Sequence, residues 1–194
     1  MPDTLATLIE LQRLKRLERT GWMLRGLSNG TESVAAHSFG VAVTAMLLSD
    51  DLSERGVEID SEKLLRMALL HDWAESRVGD MPRTATNYFG ADVRRQAEAA
   101  AFKDIVHSST RYLELYDDYE HRNSLEAKLV KAADVIDLLI QVLALERSGV
   151  RGLDEFWQVA EKPDFQLEGV ARDSVDRFVT SLLKARSEVV SSNQ

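Results

Sequence analysis

Leu69-Leu70-His71-Asp72-Trp73-Ala74-Glu75 sets a histidine and an aspartate side by side in a stretch whose other members are mostly apolar. The residues leading into it, Leu64, Leu65, Ala68 and Leu69, recur at helical spacing, and Asp60-Ser61 offers a capping pair at their start. The spacing predicts a helix from there to about Arg77. Gly79-Asp80-Met81-Pro82 should stop it, since glycine favours the C-terminal cap and proline cannot continue the ladder. A carboxylate without a partner among Met67, Ala68, Leu70 and Trp73 faces a large desolvation cost. A cation would offset it, and imidazole with carboxylate suits manganese, iron, cobalt or zinc better than calcium or an all-oxygen magnesium site.

Two more residues have the right character, each in its own helix-patterned apolar stretch. His37 follows Glu32-Ser33, where serine is a good N-cap, and precedes Val41, Ala45, Met46 and Leu48 on the side expected to be buried. Asp134 sits in the middle of Leu125, Leu129, Ala132, Ile136, Leu139 and Leu143, a stripe apolar enough for the central helix of a bundle. Adjacent helical residues diverge by about 100°, so His71 and Asp72 can straddle an ion while His37 and Asp134 approach from other helices. Glu75, four residues after His71 and three after Asp72, would lie on the same face one turn on, where a carboxylate can take a proton from water activated by the cation. Each residue also has a plain use. Asp134 can pair with Lys131 at helical spacing, Glu75 can be an exposed helix-end residue beside Arg77, and a lone histidine is commonly a packing residue.

The rest of the chain is helix-patterned from end to end, with no sustained alternation of the kind a strand requires. A first helix is expected over about Leu5 to Glu18, then a glycine-bearing loop from Arg19-Thr20-Gly21-Trp22 to Asn29-Gly30. A long helical stretch runs from Ala91 to about His121, broken near Ser108-Ser109. The central helix spans Asn123 or Ser124 to about Arg147, followed by a short helix with Phe156 and Trp157 and a last amphipathic helix from about Leu167 to Val189. Tyr112, Tyr116 and Tyr119 recur at helical spacing and read as packing or dimer contacts, Trp73 as core, and His107 and His121 as surface residues. No repeat or linker argues for a second domain, so the expectation is one all-α domain over residues 1–194, with a core at about 32–147 and C-terminal helices at about 153–190.

Composition narrows the chemistry. With 194 residues and 44% hydrophobic content, one domain can bury a substantial core. The 32 acidic against 24 basic residues give a net charge of -8, a poor match for a protein that coats nucleic-acid backbone, and a small substrate suits it better. The absence of cysteine excludes disulfides, thiolate zinc sites and cysteine nucleophiles, leaving only histidine and carboxylate to hold a metal. Met1-Pro2-Asp3-Thr4 lacks the basic-then-apolar order of a signal peptide and no run approaches the ~20 apolar residues of a membrane span, so a cytoplasmic protein without a membrane anchor is expected.

His37, then His71-Asp72, then Asp134 resembles the H...HD...D signature of the HD-domain phosphohydrolases, all-helical metal enzymes acting mainly on phosphate esters. Further stretches are similar to one branch, the 5'-deoxynucleotidases. They are Arg19-Thr20-Gly21-Trp22, Glu32-Ser33-Val34-Ala35-Ala36-His37, His71-Asp72-Trp73-Ala74-Glu75, Val78-Gly79-Asp80 and Glu126-Ala127-Lys128-Leu129-Val130-Lys131-Ala132-Ala133-Asp134. The resemblance implies that His37, His71, Asp72 and Asp134 bind one divalent ion, cobalt or manganese with iron, zinc and magnesium as alternatives. It implies that Glu75 and Asp80 act on water and leaving group, that Trp22 contacts the sugar, and that two chains form a homodimer. The implied reaction is hydrolysis of nucleoside 5'-monophosphates, deoxy series preferred, to nucleoside and phosphate.

Two departures stand out. Bacterial members have an arginine directly before the tryptophan and a lysine shortly after the Gly-Asp turn, where this chain has Gly21 and Arg83-Thr84-Ala85-Thr86-Asn87. Arg19, Arg25 and Arg83 are the candidates to replace those cations on the phosphate, each otherwise a solvated surface arginine. The alternatives are another phosphate ester, such as a guanosine tetraphosphate alarmone, a two-iron oxygenase, or a nucleotide-binding sensor without turnover. Alarmone hydrolases carry Glu-Asp where this chain has Glu75-Ser76, and an oxygenase needs more histidine ligands than His107 and His121 can supply.

Overall fold

Three polar side chains start the helices that carry the chemistry. Ser33 Oγ accepts from the Ala36 amide at 3.2 Å, Asp60 Oδ1 from the Lys63 amide at 2.9 Å, and Ser124 Oγ from the Ala127 amide at 3.2 Å, each satisfying an amide that the helix cannot bond. In the computed structural model, which describes residues 2–161 and 163–191, the helices are α1 Pro2–Leu11, α2 Thr20–Met23, α3 Val34–Glu54, α4 Ser61–Leu70, α5 Glu75–Val78, α6 Arg83–Phe89, α7 Ala91–Ile105, α8 Thr110–His121, α9 Leu125–Arg147, α10 Asp154–Glu161 and α11 Gly169–Ser191. Among the described residues there is no strand, only an isolated antiparallel bridge between Glu18 and Ser33. The protein is all-α, and among the described residues no helix is long and apolar enough to cross a membrane. The chain divides into two compact units, Met1–Phe39 with Leu69–Asp117, and Gly40–Ala68 with Asp118–Gln194.

The first unit is built around Leu70, Ala74, Phe102, Ile105 and Tyr116, all buried. Phe102 stacks on Tyr116 with centroids 4.1 Å apart, and Trp73 lies 5.9 Å from Tyr112, so these aromatic residues are packing residues as expected. The break between α7 and α8 falls where the tandem serines suggest it, with His107 and Ser108 at φ 50° and 58°, a left-handed turn that no helix continues. α1 is shorter than expected, ending at Leu11 and continuing as a 3-10 turn over Gln12–Lys15. Its inward side is set by polar contacts. Thr7 Oγ1 donates to the Ile105 carbonyl at 2.8 Å and Glu10 receives Arg77 at 2.6 Å, which turns Leu5, Leu8 and Ile9 outward at 61%, 56% and 64% exposure.

The expected single helix through the His-Asp pair is two. From Trp73 onward the amides of Trp73, Glu75, Ser76 and Arg77 bond back three residues, to Leu70, Asp72, Trp73 and Ala74, at 3.0–3.1 Å. The tighter register ends α4 at Leu70 and places His71 and Asp72 in a turn ahead of α5. α6 is an element that periodicity missed, since Arg83-Thr84-Ala85-Thr86-Asn87 has no apolar stripe and its Tyr88 and Phe89 are exposed. Asp80 and Thr20 tie the turn after α5 to α2: the Thr20 hydroxyl donates to the Asp80 carbonyl at 2.6 Å and the Thr20 amide to Asp80 Oδ2 at 2.5 Å. The segment between Glu18 and Ser33 is clasped at its ends by the Arg19 amide on the Glu32 carbonyl at 3.0 Å and the Val34 amide on the Leu17 carbonyl at 2.8 Å.

The second unit is organised by α9, whose Leu129, Ile136, Leu139 and Val142 are fully covered alongside Val41, Leu52, Leu64 and Met67. Met46, expected on the covered side of α3, is 41% exposed. Gly40 has a steric reason to be glycine, because a Cβ there would run into the Asp137 carboxylate of α9. Trp157 of α10 donates to Glu146 at 3.3 Å beneath the Arg186 guanidinium, 4.9 Å from its ring, which fastens α10 and α11 to the end of α9. Asp118 closes the other end: its carboxylate accepts from the Ser124 amide and hydroxyl, both at 2.9 Å, and pairs with Lys63 Nζ at 2.7 Å.

Burial alone would raise the proton affinity of Asp118, but the bonds from Lys63 and Ser124 outweigh it and hold the carboxyl below its usual 3.8. A carboxyl depressed by folding stabilises above its unfolded value and loses that contribution as pH falls through the folded one. Asp118→Asn should therefore cost on the order of 1 kcal/mol at pH 7, a figure that already allows for solvent screening at the partly exposed Lys63. The difference from wild type in urea unfolding should be constant from pH 5 to 7 and shrink below about 3.8. A pH-independent difference would mean that the ion pair contributes nothing.

Candidate metal centre

The turn between α4 and α5 is where a helix would have spread its side chains and instead gathers them. His71 Nε2 lies 3.1 Å from Asp72 Oδ2, and His37 Nε2, from the first turn of α3, lies 3.8 Å from the same oxygen. The imidazole side chains are 1% and 0% exposed and their centroids are 5.7 Å apart. Arg19 Nη1 approaches Asp72 Oδ2 at 3.5 Å and Asp80 Oδ1 at 3.9 Å. Burial pushes the proton affinity of Asp72 up, yet His71, His37 and Arg19 together override it, so this carboxyl is held ionised far below the ordinary range. Two ring nitrogens and an ionised carboxylate oxygen converging in a space closed to solvent form the donor set of a borderline divalent ion, and the residues fit such an ion.

Glu75 opens α5 and is 4% exposed, which removes the expectation of a solvated helix-end glutamate. Arg77 is not its partner but pairs with Glu10 and Asp104. Burial first, then the neighbouring charges of Asp72 and Asp80, push the Glu75 carboxyl well above its ordinary value, against the opposing pull of Arg19 and Arg94. Among the described residues its buried Oε2 forms no hydrogen bond. Asp80 follows Gly79, whose φ of 81° lets the chain turn sharply out of α5 at a place where other residues would be strained. Neighbouring Asp72 and Glu75 therefore have opposite protonation preferences, the arrangement by which two carboxyls take different roles in hydrolysis.

The remaining expected residues fall around and beyond this cluster. Trp22 on α2 is 2% exposed and its indole N–H donates to Glu32 Oε2 at 2.7 Å, so it anchors its loop to the start of α3. Arg25 Nη1 donates to the Gly21 carbonyl at 3.3 Å, and the Arg83 side chain lies outside the described residues. Asp134, in the second unit, accepts from Lys131 Nζ at 2.6 Å, the ion pair its helical spacing allows. The sequence also held Thr20, Glu32 and Arg94 without signalling their parts. Thr20 and Glu32 act over sixty and ten residues of separation, which no local pattern reveals.

A family model described as HD domain matches residues 11–163, a span that contains every residue of the cluster and Asp134. The 5'-deoxynucleotidase HDDC2 of Xenopus laevis is 32% identical over 139 residues, covering 69% of this chain and 65% of that protein. The 5'-deoxynucleotidase YGK1 of Saccharomyces cerevisiae is 30% identical over 191 residues, covering 94% of this chain and 82% of that one. The chain thus spans about 65% of the length of the HDDC2 relatives it matches. Among solved structures, the PH0347 protein of Pyrococcus horikoshii OT3 superposes with a TM-score of 0.82 at 36% identity, covering 93% of this chain and 99% of that one. An all-helical scaffold that brings two histidines and an aspartate to one buried point, over a matched span of this extent, places the chain in the HD domain family.

Proposed function

We propose that this protein is a metal-dependent 5'-deoxynucleotidase, hydrolysing nucleoside 5'-monophosphates, deoxy series preferred, to nucleoside and phosphate. The observation that carries the proposal is the meeting of His37 and His71 on Asp72, with a solvent-shielded Glu75 one turn away. The names of the HDDC2 and YGK1 relatives supply the substrate class. Asp134 is assigned as the fourth ligand on the order H...HD...D within the matched span, with cobalt or manganese as the ion. We read residues 1–194 as one HD domain that pairs as a homodimer in the cytoplasm.

A divalent ion bound by these residues supplies Lewis acidity toward the phosphoryl group and lowers the pKa of water. The protein's own groups divide the rest. Glu75 is assigned to take the proton from the attacking water, its carboxylate made a stronger base by burial and by the neighbouring charges of Asp72 and Asp80. Asp80, held by Thr20 and Arg19, is assigned to the leaving 5'-oxygen, relaying to it the proton that Glu75 takes from the water, so that the nucleoside departs as its alcohol while phosphorus gains the water oxygen. Arg19 has cationic reach to both Asp72 and Asp80 and is assigned to the phosphate, with Arg25 and Arg83 as further candidates. Trp22 is assigned as the wall against the sugar, where a rigid ring would leave a 2'-hydroxyl poorly hydrated.

His71→Ala and Asp134→Ala should each lower bound divalent metal and abolish phosphate release, with elemental analysis as the measurement. Unchanged metal content in both would return these residues to packing and to the Lys131 ion pair. Glu75→Gln should keep the metal while kcat falls by about 10²-fold or more, the usual scale for a lost positioned base. Full turnover in the metal-loaded variant would remove that role. Trp22→Ala, confirmed folded and loaded, should bring the deoxy-to-ribo ratio of kcat/KM down toward one from an expected ~5- to 150-fold, the equivalent of about 1 to 3 kcal/mol. An unchanged ratio would leave Trp22 its anchoring role alone.

A further inference from the structure

α7 buries Ala101, Phe102 and Ile105, and the same face continues toward its N-terminus through Glu98 to Arg94, at steps of three and four residues. α7 packs against α5, the helix that opens with Glu75, and Phe102 and Ile105 share one buried cluster with Leu70 and Ala74, so the stripe that ends in Arg94 lies on the α5 side of α7. The Arg94 side chain is 29% exposed and Nε bonds to Glu98 at 2.6 Å, with Glu98 itself 12% exposed. The guanidinium also feels the charges of Glu75 and Asp72, in addition to that of Glu98.

A largely covered cation at that place has a local partner in Glu98, and one N–H edge of the guanidinium is occupied by it. The guanidinium presents five donors in a planar fork, so the Glu98 bond fixes its orientation and leaves further N–H groups for another acceptor. Arg19 is a second cation beside Asp72 and Glu75, and a phosphate monoester carries up to two negative charges into a space already lined by Asp72, Glu75 and Asp80. Such an anion needs cationic hydrogen-bond donors besides a metal to overcome that repulsion.

We propose that Arg94, oriented by Glu98, is a phosphate-binding residue of this site, gripping the phosphoryl oxygens of the substrate and of the phosphate product. This inference rests on the phosphomonoesterase reading above. Arg94 then takes the role left open by the missing lysine after the Gly-Asp turn, from a helix rather than from the turn. Glu98 is a positioning residue, acting through Arg94 alone.

The test uses the metal-loaded enzyme and compares wild type with Arg94→Ala, Arg94→Lys and Glu98→Gln, each checked by thermal midpoint. Two inhibitors separate the parts of the site: inorganic phosphate and the product deoxynucleoside, which has no phosphate. Arg94→Ala should weaken inhibition by inorganic phosphate by about 10-fold or more and raise KM for the monophosphate, the scale of a charge-assisted hydrogen bond, with deoxynucleoside inhibition within twofold of wild type. Arg94→Lys should fall between, and Glu98→Gln should lose less than Arg94→Ala. Phosphate inhibition unchanged in Arg94→Ala overturns the proposal. So does a parallel loss of phosphate and deoxynucleoside inhibition in Arg94→Lys and Glu98→Gln, which marks a structural ion pair. If wild type releases no phosphate from any monophosphate, the enzymatic reading fails separately. Calorimetric binding of inorganic phosphate to wild type and Arg94→Lys then decides Arg94: weaker binding in the variant supports the role and equal binding overturns it.

Discussion

The burial of Asp72 and Glu75 within one turn of each other is the constraint to which the surrounding structure answers. Two carboxyls that close, with Asp72 Oδ2 and Glu75 Oε2 both buried, cannot both ionise without compensation. Asp72 receives it from His71, His37 and Arg19 and stays charged. Glu75 receives less, and its carboxyl holds its proton more firmly. The rest of the first unit serves this asymmetry: α3 delivers His37, the clasped segment after Glu18 delivers Arg19, and Thr20 fixes Asp80 at the exit of α5. A cluster so rich in acidic groups with so few cations is poorly suited to a packing role alone and well suited to an ion and an anionic ligand.

The second unit works by a different logic. Ion pairs and hydrogen bonds at Asp118 with Lys63 and Ser124, and at Glu146 with Trp157 and Arg186, fix the ends of α9, while Leu129, Ile136, Leu139 and Val142 are buried between them.

Most of the helices could be read from the sequence because apolar periodicity and capping residues are local signals, and α9 and the α7 to α8 break lie where those signals put them. The identities of His37, His71 and Asp72 could be read because polar residues in apolar stretches are conspicuous. Their geometry could not. Whether a chain bonds back three or four residues near Trp73 depends on packing, and that choice alone decides whether His71 and Asp72 straddle a helix face or share a turn. The direction in which α1 faces was equally hidden, since Thr7 and Glu10 find their partners far along the chain and turn the apolar residues outward. α6 carries no periodic signal at all, and Arg94 resembles any surface arginine until α7 is seen to turn that face inward.

The clasp joining Glu18 to Ser33 has a consequence for how freely the chain length can vary. Both ends of the segment are pinned by backbone bonds and Trp22 pins its near side to Glu32, while Ser28, Asn29 and Gly30 at its far side are exposed. Closing a longer loop between fixed ends adds only about 0.6 kcal/mol per doubling of its length. Residues inserted near Asn29 would thus lengthen the surface excursion without moving Arg19 or Trp22, whereas a single insertion between Asp72 and Glu75 would rotate Glu75 away from the His71-Asp72 pair. The chain can thus change in length at the one place and not at the other.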